Sequence, residues 1–275
     1  MGFPTKPSGL IVINKTHPLN RGLKLCFCPA HRFDHGTNLA DGVTPTFSGS
    51  LCKNLPSPAG MSIVGSNSIN NTNHPSLRSP ALVGPAREYT ISIIWGPPVQ
   101  HAQLSAAHPF LLYNATHNEK EVTVRRDSTS NKITLSMCAW DGGALVHQDL
   151  AATNTFSTQS TGHYIFTRTG VTGSDSLNLY TGGSLDTTAT VNTAAVTAAA
   201  WNTASCNFSG AVVGWPGVYD FRMWNRVLTA AEMHTLFANP WGMYNNPRSA
   251  IRGLKLTSSF PYYYRSIQLR NANNQ

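Results

Sequence analysis

"VYDFRMWNRVLTAAEMHTLFANPW", residues 218–241, reads first as a β-strand and then, across a single turn, as a short capped helix. Thr229 can accept a hydrogen bond at the helix start, and Glu232, three residues on, can reach back to the cap amide, so "TAAE" is a capping box. Met233, Leu236 and Phe237 then form one apolar face, and Pro240 closes the segment. Helical periodicity is convincing only here, so the stretch marks the end of a many-stranded domain.

Working outward, the chain offers strand after strand. "LKLCFCP" (23–29) alternates and stops at Pro29, and "REYTISIIWGPP" (87–98) places Tyr89, Ile91 and Ile93 on one face before a Gly-Pro stop. "HPFLLYNA" is a further strand, and "EVTVRRDSTSNKITLSMCAWDGG" reads as a hairpin about "DSTSN". "HYIFTRTG" follows, and then "LNLYTGGSLDTTATV", two strands around Gly182-Gly183. In 275 residues, 41% are apolar and only 12% charged, enough for a sizeable core and suited to short strands and turns. Strands at this spacing predict an all-β sandwich or barrel.

Several functions find no support in the residues. No apolar run is long enough to span a bilayer, and "MGFPTKPSGLIVINKTH" lacks the features of a signal peptide. Cys26, Cys28, Cys52, Cys138 and Cys206 are odd in number and lack metal-ligand spacing, so they read as ordinary buried thiols. The acidic residues form no E-x-D-x-x-E cluster of the kind a glycosidase needs, and Glu119 and Glu121 stand without a third carboxylate. No G-x-S-x-G accompanies the histidines, and no catalytic residue is nominated.

The charge of +8 sits at the ends. Lys6, Lys15, Arg21, Lys24 and Arg32 are unopposed in residues 1–32, and Arg248, Arg252, Lys255, Arg265 and Arg270 are unopposed in 245–275. The C-terminal run also holds Tyr262, Tyr263 and Tyr264 beside Arg265, a composition unlike a solvated tail. The expected organisation is an N-terminal basic arm (1–20), a β domain (21–244) and a C-terminal basic and aromatic arm (245–275). Each arm would pack on its own core or on a partner. Basic residues spread singly, without a helix-turn-helix, zinc-finger or RNP-like segment, argue against nucleic acid.

The order of segments resembles the laminin G-like, concanavalin A-like jelly-roll family through "YTISIIWGPP", "GHYIFTRTG", "LNLYTGGSL" and, most specifically, "VYDFRMWNRVLTAAEM". The resemblance implies a two-sheet antiparallel jelly-roll sandwich with one short C-terminal helix and extended terminal arms. The family's calcium site is not expected to carry over, because "IVGSNSI" lacks a carboxylate and the acid before the last strand is Asp220 alone. No cofactor is expected. "KPSGLIVINKTHPLNRGL" and "LFANPWGMYNNPR" resemble the opening and ending of phage-encoded members.

That likeness implies a non-enzymatic virion structural protein, made in the host cytoplasm and displayed on the particle surface. As a capsid decoration or cement protein it would dock on the major capsid protein or other virion proteins, and would form homo-oligomers. The docking residues would be Lys6, Lys15, Arg248, Arg252, Lys255, Tyr262, Tyr263, Tyr264, Arg265 and Arg270. The alternative expectation is a carbohydrate-binding adhesin on a tail or head fibre, with Trp95, Trp140 and Trp201 stacking on host glycans. No membrane partner is expected.

Overall fold

Alternation along the strands is realised as two antiparallel sheets in a computed structural model. It describes residues 6, 11–28, 38–42, 46–48, 53–57, 60–64, 76–78, 88–96, 108–114, 119–126, 130, 132–141, 144–155, 161–171, 174–191, 203–207 and 217–245, some of them by backbone alone. In chain order the elements are β1 (Val12–Ile13), β2 (Leu23–Phe27), β3 (Thr46–Ser48), β4 (Lys53–Ser57), β5 (Gly60–Val64), β6 (Ser76–Arg78), β7 (Tyr89–Gly96) and β8 (His108–Asn114). Then follow β9 (Glu119–Arg126), β10 (Lys132–Asp141), β11 (Ala144–Thr155), β12 (Gly162–Val171), β13 (Ser174–Thr181), β14 (Ser184–Val191), β15 (Thr203–Asn207), β16 (Gly217–Trp224), α1 (Ala230–Ala238) and β17 (Tyr244–Asn245).

A 7-stranded sheet has the order β11-β10-β9-β8-β15-β6-β3. An 8-stranded sheet runs β14-β13-β12-β7-β16-β5-β4, with β2 also pairing β16. Strand β16 is central because β7 covers one of its edges from Gly217 to Trp224, while β5 meets the other at Val218 and β2 at Phe221–Trp224. The fold is all-β, two-sheet and antiparallel, with one helix among the described residues.

The expected hairpin forms, with Ile133 opposite Arg126. Gly182 (φ +58°) and Gly183 (φ +90°) make the tight turn that places Thr181 opposite Ser184; positive φ at both positions is what a two-residue hairpin loop needs. Several strands are harder to read from sequence. β3 and β6 are too short to show a period, and β4 contains Pro56, tolerated because β4 lies at a sheet edge.

Period two divides the 8-stranded sheet into two buried faces. Leu25, Phe27, Ile91, Ile93, Phe166, Leu177, Leu179, Phe221 and Met223 are buried on the face toward the 7-stranded sheet, whose own Ile133, Leu135, Leu150 and Ala152 are buried too. The alternate positions form a second cluster, with Cys26, Cys28, Ile94, Ile165 and Trp224, on the outer face. Helix α1 covers it through Met233 and Leu236, and the chain ends cover it through Ile11, Ile13, Leu19, Trp241, Met243 and Tyr244. These covering segments are called the cap below.

Within residues 11–20, part of the expected N-terminal arm, Ile11, Ile13 and Leu19 pack on the domain's own core, one of the two placements expected for it. β1 pairs antiparallel with β17, the Asn14 amide donates to the Met243 carbonyl (2.9 Å), and the Trp224 indole donates to the Leu19 carbonyl (2.6 Å). Lys6 requires a correction as a docking cation: it is 3% exposed and its ammonium donates to the Tyr219 carbonyl at 2.5 Å, so it is committed to its own chain. Lys15 is exposed. Arg248, Arg252, Lys255, Tyr262, Tyr263, Tyr264, Arg265 and Arg270 lie outside the described residues.

Leu19 is 3% exposed in the outer cluster, so Leu19→Ala is expected to cost about 2–5 kcal/mol in equilibrium urea unfolding, as for a core leucine. A change below about 0.5 kcal/mol, typical of a surface site, would show that residues 11–20 are not core.

Candidate functional site

The densest polar chemistry in the described residues lies beneath the cap. Asp220, Arg222 and Trp224 alternate along β16, so all three point from the sheet to the outer cluster. Asp220 and Arg222 are 1% and 0% exposed and form an ion pair through Arg222 Nη2 and Asp220 Oδ2. Arg222 Nη2 also donates to the Pro240 carbonyl, and Arg222 Nε donates to Tyr244 Oη at 3.1 Å. The Tyr244 hydroxyl donates in turn to Asp220 Oδ1 at 2.9 Å. The guanidinium carbon lies 5.0 Å from the centre of the Tyr244 ring, a cation–π distance.

This network ties β16 to the segment after α1. Cys26 Sγ lies 3.2 Å from Tyr244 Oη; since that hydroxyl gives its own proton to Asp220, the thiol is placed to donate. Burial pushes the Cys26 thiol up to about 12 and also raises Cys28 and Tyr244. Both thiols are therefore protonated packing groups rather than nucleophiles.

Ser92 Oγ and His163 Nε2, 2.8 Å apart, have the spacing of a nucleophile and its base. Their setting is different. Ser92 is 2% exposed, the His163 ring lies 4.6 Å from that of Phe237, and His163 Nδ1 has no hydrogen-bond partner to orient the ring. Burial, with a smaller contribution from Arg222, holds the imidazole down at about 3, so it is neutral. The pair is a buried polar tie between β7 and β12.

A calcium ion would need several free oxygens, and Asp220, the carboxylate nearest the family's acidic position, has both of its oxygens engaged by Arg222 and Tyr244. The residues do not fit that ion. Among the described residues no three His, Cys, Asp or Glu side chains stand together as a metal site.

The candidate glycan platforms are placed only in part. Trp95 stands near the end of β7, opposite Gly162 and Val218, and Trp140 stands on β10 opposite Leu145; both are located by backbone register. Trp201 lies outside the described residues. Sequence reading did not single out the Asp220–Arg222–Tyr244 network. The available signal was an acid and a base two apart on a strand, which puts both on one face, followed by "PWGMY".

Searches by sequence match no protein-family model and no curated protein. Solved structures do match. The binding domain of botulinum neurotoxin DC in complex with rat synaptotagmin II superposes with a TM-score of 0.60 at 12% identity, over 80% of this chain and 52% of that one. The chain shares its fold. The binding domain of Paraclostridial Mosquitocidal Protein 1 gives 0.60 at 13% identity, with the same coverages of 80% and 52%. Botulinum neurotoxin type C, which depends upon interaction with two ganglioside molecules to get into cells, gives 0.59 at 11% identity, again over 80% and 52%. The chain spans about half the length of each of these chains, and identity at this level carries the fold alone. The first two of these neighbours are binding domains.

Two tests follow from the buried groups. Arg222→Met leaves Asp220 buried and unpaired and is expected to cost about 3–5 kcal/mol in urea unfolding, while the apolar pair D220L/R222M costs less than the sum of the single changes. His163 is neutral in the fold down to about 3 but gains a proton near 6.5 when unfolded, so acid favours unfolding across that interval. The Arg226 guanidinium holds Glu232 down at about 2 from 4.5, so its contribution is full above 4.5 and is lost towards 2. His163→Gln should therefore flatten the stability curve between 6.5 and 4.5, removing a slope of up to about 1.4 kcal/mol per pH unit, whereas Glu232→Gln should lower stability above 4.5 and change the slope only between 4.5 and 2. An unchanged slope above 4.5 in the His163 variant would show that the imidazole is protonated in the fold.

Proposed function

We infer that this chain is a non-enzymatic binding module whose β-sandwich recognises a cell-surface glycan. The observation that carries this reading is the fold shared with receptor-binding domains, among them botulinum neurotoxin type C with its two gangliosides and botulinum neurotoxin DC in complex with SialylT. The burial of the Ser92–His163 pair and of the Cys26 and Cys28 thiols supports binding over catalysis. Trp95, Trp140 and Trp201 supply the stacking surfaces, because an indole offers a broad apolar face to a sugar ring.

A second reading rests on the resemblance of the opening and ending of the sequence to phage-encoded jelly rolls. In it the chain sits on the virion surface as a capsid decoration protein, contacting the major capsid protein and forming homo-oligomers. The two resembling segments meet in the fold, with Val12 opposite Asn245 and Ile13 opposite Tyr244.

Purified full-length protein on a glycan array is expected to bind a defined set of host surface glycans. Alanine in place of Trp95, Trp140 or Trp201 should weaken binding about fivefold for each ring that stacks, with thermal melting unchanged. No glycan bound at all, together with co-banding with the major capsid protein on a density gradient, would replace the glycan reading with decoration. Absence from purified particles would remove the decoration reading.

A further inference from the structure

The cap over the outer face carries cations that its own acids do not answer. Residues 11–28, 38–42 and 225–245, all packed on the outer cluster, contain Lys15, Arg21, Lys24 and Arg226 against two acids, Asp41 and Glu232. Glu232 is already held by Arg226, with both guanidinium contacts at 2.7 Å, and Asp220 beneath the cap is held by Arg222 and Tyr244. Lys15, Arg21 and Lys24 are all exposed, and among the described residues no ion pair is formed by any of them.

Topology gathers these charges on one side. Lys24 shares a strand face with Cys26, which lies in the outer cluster. Arg21 stands at the turn into β2, where its carbonyl accepts from Arg226 Nε at 2.8 Å. Lys15 follows β1 directly. The chain then leaves β17 at Asn245, opposite Val12, and Arg248, Arg252 and Lys255 come within the next ten residues, a reach of at most about 36 Å even fully extended. Pairing of β1 with β17 thus starts both basic ends of the sequence from one ribbon.

We propose that this cap side, with Lys15, Arg21 and Lys24 exposed on it together with Val12, is a docking surface for an acidic protein. Charge complementarity selects an anionic partner. Chemistry on the same face selects protein over the other polyanions. Sugar and single-stranded nucleic acid are held by exposed rings, but Tyr219, Trp224, Trp241 and Tyr244 are all turned inward and buried. Val12, 42% exposed, is one small apolar contact beside exposed cations of the same segments, which suits a protein interface and is too little to enter a lipid surface. The surface is separate from the glycan reading and does not depend on it.

The test uses the full chain and poly-L-glutamate as the acidic polypeptide, with heparin, duplex DNA and phosphatidylserine vesicles as competing probes. Poly-L-glutamate is expected to bind best and to weaken with added salt. Each of K15E, R21E and K24E should weaken it about threefold or more, and the triple variant by well over tenfold, if rim charges act as they do at other interfaces. K132E, placed on β10 of the opposite sheet, is the matched control and should leave binding within about twofold. Thermal melting shows each variant to be folded, and K15Q/R21Q/K24Q replaces the triple reversal if that one is not. Loss by K132E equal to that of the cap variants would overturn the proposal, as would unchanged binding in the triple variant. Preferred binding of heparin, DNA or vesicles would overturn it in favour of that ligand.

Discussion

Both faces of the 8-stranded sheet are apolar, and a sheet in water can leave only one of its faces uncovered if that face is polar. The inner face is covered by the second sheet. The outer face presents Cys26, Cys28, Ile94, Ile165 and Trp224, which need apolar cover, together with the Asp220–Arg222 pair and the Trp224 indole N–H, which need polar partners when covered. A cover is needed that brings both apolar contacts and polar partners, and the two ends of the chain supply it. Leu19 offers its carbonyl to Trp224, Pro240 offers its carbonyl to Arg222, and Tyr244 satisfies Arg222 and Asp220 together. The position of α1 follows from the same demand, since its capping box and the Arg226–Glu232 pair fix where Met233 and Leu236 reach the sheet.

A buried ion pair is a poor way to gain stability, because desolvating two charges offsets most of their attraction. Here Arg222 Nη1 lacks a hydrogen-bond partner, which makes a net gain harder still. What the pair does supply is discrimination. An apolar cap could slide over an apolar sheet at little cost, whereas shifting β17 by one residue would move Tyr244 away from both Asp220 and Arg222. Register between β1, β17 and β16 is thereby set by hydrogen bonds with one solution.

How much of this was legible in the sequence depends on whether the signal was local. The capping box at Thr229–Glu232, the alternation of Tyr89, Ile91 and Ile93, and the Gly182-Gly183 turn each depend on neighbouring residues, and each is found as read. The role of residues 11–20 was not local. "GLIVI" and five unopposed cations describe an arm as well as they describe a cap until the partner of β1 is known, and that partner lies more than two hundred residues away. Lys6 shows the same limit: an unopposed lysine beside a terminus reads as a docking cation, and only the fold brings the Tyr219 carbonyl to its ammonium. Of the candidate site residues, the tryptophans were legible as residue types but not as a surface, because stacking requires rings from separate strands to share one side.

The cap also constrains where recognition can take place. Helix α1 and the segments 11–19 and 241–244 occupy the outer face over β2, β7, β12 and β16, while Leu185 on β14 stays 54% exposed. At one side of the sandwich the edge strands β14 and β11 are tied across the sheets, with the Thr153 amide donating to Asp186 at 2.8 Å, so part of that edge is engaged as well. The cap side presents charge, with Lys15, Arg21 and Lys24 exposed on it. That side is built on β1 pairing with β17, which turns two segments far apart in sequence into a wall of the domain.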